Sequence, residues 1–182
     1  MGTVYLITVG TIHAGLMAGI IPALEERFLF RFSLIGPLDV PLAAYHETKG
    51  KYLVSRLCDT LRECLPHDGI FGLGITAIDL YDDTAAFMYY SRQADKVGIL
   101  SISEFLPSPA TGPDDTNLLF SRTLKEASHA LGHLLGFKHC FHRDCVMYFS
   151  YSVNDTDRKS SLFCRDCEAT MSRILRNLQK AD

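Results

Sequence analysis

No apolar run in this chain of 182 residues approaches the ~20 residues that a membrane span requires. A basic leader is also missing: the first residues, M-G-T-V-Y-L-I-T-V-G, read as a strand rather than a signal peptide. Leu6 stands where the myristoylation pattern wants Ser or Thr, which argues against an acyl anchor. Charge of one sign is equally scarce. The net charge is −3, and Lys and Arg are scattered rather than clustered, so neither nucleic acid nor a membrane surface is an expected partner. Repeats and low-complexity tracts are absent, which excludes a solenoid or a fibrous array. The expectation from these absences is a cytoplasmic protein in a reducing compartment.

What is present is ordinary for a folded domain, with hydrophobic residues at 47% and charged ones at 21%. The length suits one domain with a sizeable core. Val4 to Val9 reads as a buried strand and Leu16 to Phe28 as a helix that Pro22 bends or opens. Phe30 to Ile35 alternates as a second strand, and Gly36-Pro37 with Pro41 punctuates a loop. Lys51 to Leu65 is amphipathic, with Leu53, Leu57, Leu61 and Leu65 in one i, i+4 stripe. Phe71 to Tyr81, ending at Asp82-Asp83, reads as a strand. Ala86 to Arg92 and Val97 to Ile102 follow as two more, joined by a turn at Gln93 to Lys96. Ser108 to Asp115 is a loop, and a helix from Asn117 or Ser121 runs to Gly136. Residues 140 to 164 look irregular, and Asp166 to Leu178 should form a closing helix. Early alternation of strands and helices, then successive strands, predicts an α/β (α+β) domain with a mixed, partly antiparallel sheet covered by helices.

The chemistry concentrates in residues 129 to 140, H-A-L-G-H-L-L-G-F-K-H-C. His129 and His133 are four apart, so a helix presents both on one face to a single metal ion. Gly136 can turn the chain sharply, and His139 then arrives as a third ligand. Leu131, Leu134 and Leu135 are left to face the core. Three protein ligands leave a fourth position for water or substrate, the mark of a catalytic zinc site.

A second group follows at once: Cys140 and Cys145, then Cys164 and Cys167. In a reducing compartment such spacing means metal more often than disulfide, and four thiolates close a tetrahedral, structural zinc site. Cys58 and Cys64 complete an even count of six, which in a secreted protein would also permit three disulfides. Alternatively His142, between Cys140 and Cys145, displaces one of them as ligand.

The run from His129 through Cys140, Cys145 and Met147 to Cys164 and Cys167 resembles the archaemetzincins, a group of metzincin-like zinc peptidases. The matching motif covers roughly the last third of the chain. Sixteen residues separate Met147 from Cys164, one fewer than in the family pattern. The resemblance implies a single metzincin-like peptidase domain over 1–182. An upper subdomain, 1–136, would carry the active-site helix, and a smaller one, 137–182, the four-cysteine site. It implies catalytic zinc on His129, His133 and His139, and structural zinc on Cys140, Cys145, Cys164 and Cys167. Met147 would form the methionine turn beneath the first metal, although a plain core methionine does a comparable job. A peptide substrate would lie along an edge strand, for which Ala86 to Arg92 is the best candidate, with cleavage near the peptide's amino end. A monomer is expected.

One residue departs from the pattern. Ala130 occupies the place of the general-base Glu, which accepts a proton from zinc-bound water and passes it to the leaving amine. Zinc alone lowers that water's pKa toward ~7, so the missing part is proton shuttling, worth roughly 10²–10⁴-fold. Ala130 is either natural or an engineered Glu→Ala, and the sequence leaves both open. Glu126, one helical turn earlier, has three readings: a substitute base, a partner that orients His129 or His133, or a solvent-facing residue favourable to the helix dipole. A rise of ~5.4 Å per turn argues against the first. Tyr148 also lies near the site in sequence. The sequence therefore predicts a zinc metallopeptidase with impaired catalysis, or alternatively a catalytically inactive zinc- and peptide-binding protein. A redox role for C164-R-D-C167 is disfavoured because thioredoxin-like motifs sit at a strand-to-helix turn of a βαβ unit, whereas this one lies near the carboxyl end with two partner cysteines at metal spacing.

Overall fold

The computed structural model describes residues 2–82, 96–106 and 116–179, with the backbone of residues 89–92. Strand β1 (Thr3–Val9) is apolar on both faces, and that dictates its place. Val4 and Leu6 enter one core and Ile7 and Val9 another, as only an inner strand of a covered sheet can. On either side of it lie β2 (Arg31–Leu38) and β5 (Gly69–Thr76), both parallel to β1. Next comes β8 (Val97–Ser101), parallel to β5, and then β7 (Tyr89–Arg92), antiparallel to β8. The five-stranded order is β2-β1-β5-β8-β7. The sheet is thus parallel apart from one edge strand, in agreement with the expected mixed architecture.

Helix α1 (Ala14–Phe28) buries Leu16, Met17, Ile20, Leu24 and Phe28 in the larger core. It shares that core with helix α3 (Thr116–Leu134), through Leu124, Ala127, Leu131 and Leu134, and with Met171 of helix α5 (Arg165–Gln179). Helix α2 (Val54–Cys64) covers the opposite face, with Val54, Leu57 and Leu61 against Ile7, Val97 and Ile99. Each fully buried aliphatic side chain contributes about 1.5–3 kcal/mol relative to exposure, so both faces draw strong support from packing. Among the described residues no helix is long and apolar enough to cross a membrane.

Several expectations need correction. Strand β2 continues through Gly36-Pro37 to Leu38, because after a register shift its pairing with β1 resumes at Val9 opposite Leu38. Residues 71–81 are not one strand: β5 stops at Thr76, and β6 (Leu80–Tyr81) belongs to a small second sheet with β3 (Tyr45–His46) and β4 (Lys51–Leu53). Lys51 to Leu53 is therefore strand rather than the first turn of α2. The stretch 140–164 holds a short helix, α4 (Val153–Arg158), begun from Ser152, whose hydroxyl bonds Asp155. Asp83, Ala86 to Met88, Gln93 to Asp95 and the loop Ser108 to Asp115 lie outside the described residues.

Candidate metal centre

Helix α3 carries His129 and His133 on one face and ends as glycine demands. Gly136 has φ 92°, a left-handed conformation that costs a glycine little. Its N–H donates to the His133 carbonyl at 2.9 Å, and the Phe137 N–H to the Gly132 carbonyl at 3.0 Å. This pair of bonds is a Schellman closure, and it turns the chain so that His139 comes back toward the helix. Leu131, Leu134 and Leu135 are buried, as the sequence reading required.

The three imidazoles converge through one atom each. His133 Nε2 lies 2.9 Å from His129 Nε2 and 3.2 Å from His139 Nε2. The far nitrogens are already committed. His129 Nδ1 is 2.7 Å from the Val146 carbonyl, and His133 Nδ1 is 2.8 Å from the Phe137 carbonyl. A carbonyl only accepts, so in both rings the proton sits on Nδ1 and the Nε2 lone pair points into the centre. Lone pairs facing one another at such distances repel unless a cation lies among them. Zinc–nitrogen bonds of ~2.0–2.1 Å in a tetrahedron place ligand nitrogens about 3.3 Å apart, close to what is found. The residues fit the metal.

Electrostatics agree. Burial, then the Lys159 ammonium and His133, hold His129 well below the ordinary imidazole range. Burial, then His139, brings His133 down to about 4. Burial and Lys159 lower His139 as well. All three are therefore neutral near pH 7, the form that ligates. Depth is graded across the set: His129 is buried, His133 half-buried and His139 exposed, so the centre opens on the His139 side.

Met147 lies directly beneath, with its side chain against the backbone of Gly132 between the two helical histidines. The segment that delivers it is tightly pinned. Cys140 N–H donates to the Met147 carbonyl at 2.9 Å, Tyr148 N–H to Cys145 at 2.8 Å, and Val146 N–H to Leu162 at 2.8 Å. Phe149 follows, its ring edge-on to His139 at 4.7 Å between centroids.

The four cysteines Cys140, Cys145, Cys164 and Cys167 are free thiols with their sulfurs all within 4.8 Å of one another. Cys140 Sγ and Cys164 Sγ are 3.8 Å apart, the separation that zinc–sulfur bonds of ~2.3 Å produce in a tetrahedron. Burial raises the Cys164 thiol, but hydrogen bonds from the Cys167 backbone and from the neighbouring thiols outweigh it and bring the group to about 7. Burial and the Cys145 sulfur push Cys167 far up instead. Sulfurs that strain each other's ionisation in this way suit a cation that takes them all as thiolates. His142 does not join them; it is exposed, with Nε2 3.7 Å from Asp166. Its reading as an alternative ligand finds no support here.

Glu126 is neither solvent-facing nor aimed at the centre. It is fully buried on the far side of His129 and accepts hydrogen bonds from Ser150 Oγ at 3.2 Å and from Thr156 Oγ1. Its carboxylate also receives Lys159 Nζ, at 3.0 and 3.1 Å to its two oxygens. Lys159 Nζ, which Glu126 binds, stands 3.2 Å from His129 Nδ1, so the carboxylate lies on the Nδ1 side of that ring and not with the converging Nε2 atoms. Lys159 escaped the sequence reading entirely. It sits in a polar stretch that reads as exposed loop, and no local pattern distinguishes a buried lysine from a solvated one.

A model of peptidase family M54 matches residues 21–173. The archaemetzincin of Thermococcus kodakarensis is 36% identical over 140 residues, which is 76% of this chain and 74% of that protein. The archaemetzincin of Methanopyrus kandleri is 37% identical over 139 residues, 75% of each chain. The crystal structure of the M. kandleri protein superposes with a TM-score of 0.80 at 30% identity, covering 96% of both chains. That of the archaemetzincin from Archaeoglobus fulgidus, complexed with malonate, gives 0.77 at 30% identity and covers 92% of this chain and 98% of the other.

Proposed function

The chain belongs to peptidase family M54, the archaemetzincins, a family of zinc metallopeptidases, and from that membership we propose that it holds two zinc ions and binds peptides for hydrolysis. The observation that carries the proposal is the convergence of three Nε2 atoms whose Nδ1 partners are backbone carbonyls. His129, His133 and His139 hold the first ion, and Cys140, Cys145, Cys164 and Cys167 the second. Bound zinc would act as a Lewis acid and a source of hydroxide near neutral pH.

The chain's own residues supply the rest. Val146 and Phe137 fix the tautomers, Met147 floors the site, and the open His139 side admits the peptide. Among the described residues β7 is an edge strand of the sheet, and an extended substrate would add beside it through main-chain hydrogen bonds. The residue at the proton-shuttling position is Ala130, fully buried and without a titratable group. Turnover by this chain is therefore low, and the second reading, a zinc-dependent peptide binder, rests on the same observation. Reduced thiolates fit a cytoplasmic location, and the chain acts as a monomer.

Metal analysis of protein purified without added chelator tests the proposal, with two zinc ions per chain expected. A small hydroxamate should bind the three-histidine zinc through its open position. Metal content of one or none, or no hydroxamate binding to a fully loaded chain, would sink it.

A further inference from the structure

One buried charged pair has no part in the chemistry so far. Glu126 and Lys159 are both 0% exposed at the side chain, and they join α3 to the residue that follows α4. Burying two charges gains little over a well-packed apolar pair, so stability alone gives a weak reason for them. Burial pulls the Lys159 ammonium down, while Glu126 holds it up.

Position is more telling. Lys159 Nζ donates to Glu126 one helical turn before His129, and to the Tyr148 carbonyl at 3.3 Å. It also lies 3.2 Å from His129 Nδ1. That nitrogen already donates to Val146, so the approach is a close contact of two donors and not a hydrogen bond. An imidazole ligand commonly gives its outer N–H to a carboxylate or a carbonyl. Here the carboxylate is one atom group too far away, the lysine stands between, and the carbonyl of Val146 takes the proton. Val146, Met147 and Tyr148 are consecutive: one receives His129, one floors the centre and one is tied to Lys159.

We propose that Lys159, anchored by Glu126, is a positioning residue that clamps the Val146–Tyr148 segment onto α3 and so holds the His129 ring with Nε2 toward the metal. The inference rests on the three-histidine zinc reading. Ser150 and Thr156 complete the arrangement by fixing the carboxylate that anchors the lysine. The neighbouring charged groups Lys125 and the Arg122–Asp157 pair lie outside this pocket: Lys125 Nζ caps the carbonyls of Thr156 and Asp157, and Arg122 binds Asp157.

The test compares zinc affinity at the two sites in the unaltered chain and in Glu126→Gln/Lys159→Met, a neutral pair of similar volume. Chelator competition should show the three-histidine zinc weakened about 10–100-fold, the usual loss when an outer partner is removed. The four-cysteine zinc serves as the internal control and should be unchanged. With cobalt(II) in the histidine site, the ligand-field bands should shift in the variant. Equal affinity and an unshifted spectrum overturn the inference while leaving the zinc reading intact. Failure of the unaltered chain to hold zinc at the histidines overturns the reading itself. Should the variant not fold, NMR of the unaltered, zinc-loaded chain decides. Lys159 ammonium protons should be protected from solvent and show contacts to the His129 ring; exchange at the rate of an exposed lysine overturns the clamp.

Discussion

Met147 packs its thioether against the bare backbone of Gly132, in the gap that His129 and His133 leave on the helix face. A Cβ at residue 132 would fall against Met147 Sδ and lie 3.0 Å from its methyl carbon. A side chain at residue 132 would force Met147 to shift, so glycine is favoured there by the floor of the site and not by the helix, which it weakens.

Gly132→Ala should accordingly lose stability despite the better helix propensity of alanine. Met147 is fully buried and has little room to retreat, so an overpacking cost of about 1–3 kcal/mol is expected. Denaturant titration measures it, and chelator competition should show weaker zinc at the histidines. A variant more stable than the parent would contradict this packing.

Ala130→Glu should raise peptide hydrolysis by about 10²–10⁴-fold, the usual worth of a positioned general base. Ala130 is fully buried in the larger core, so the new carboxylate also costs stability unless it reaches the zinc-bound water. Rate assays with zinc present, read beside the melting temperature, separate the two effects. Unchanged turnover in a folded, zinc-loaded variant would show that something other than this position limits the reaction.

Cys167→Ser should release one zinc ion and loosen the segment from Cys140 to the start of α5. That segment packs Val146, Met147 and Phe163 against the larger core but holds one short helix, α4, and metal binding there would add folding free energy to this packing. Limited proteolysis should cut between residues 140 and 164 in the variant and in chelated parent, but not in the loaded parent. Equal resistance in all three would argue against a structural ion.

Arg122 donates two hydrogen bonds to the Asp157 carboxylate, at 2.8 and 2.7 Å, and these hold its pKa below the ordinary carboxylate range. A carboxylate depressed on folding adds stability that is complete above the unfolded pKa and fades as pH falls through the folded one. Arg122→Gln should therefore cost about 0.5–1 kcal/mol at pH 7. The gap between variant and parent should shrink below pH ~4, where the unfolded carboxylate takes up its proton. Urea unfolding at pH 7 and pH 3.5 measures both, and a gap that widens in acid would refute the assignment.

How much of this was legible depended on the range of the interaction. The i, i+4 histidines, the glycine turn and the cysteine pairs are local patterns, and His129, His133, His139 and the four cysteines indeed come together. Leu57 and Leu61 faced the core as their spacing required. What escaped was set by distant partners. Residues 77–79 break a hydrophobic run because Leu80 and Tyr81 pair with Tyr52 and Leu53 rather than with β1. Glu126 was placed one turn from His129, yet its direction depends on Lys159, thirty-three residues away. No periodicity encodes that meeting.

His139 and Cys140 are consecutive, yet one faces the histidine centre and the other the thiol cluster. A single planar peptide unit therefore separates two coordination spheres. With zinc in both, as proposed, their occupancies would form one linked equilibrium. On the proposed two-zinc reading, filling the thiol cluster would fix Cys140, spare His139 much of its ordering entropy and ready the outermost imidazole for the second ion. Metal scarcity would then empty the exposed centre well before the fold itself gives way.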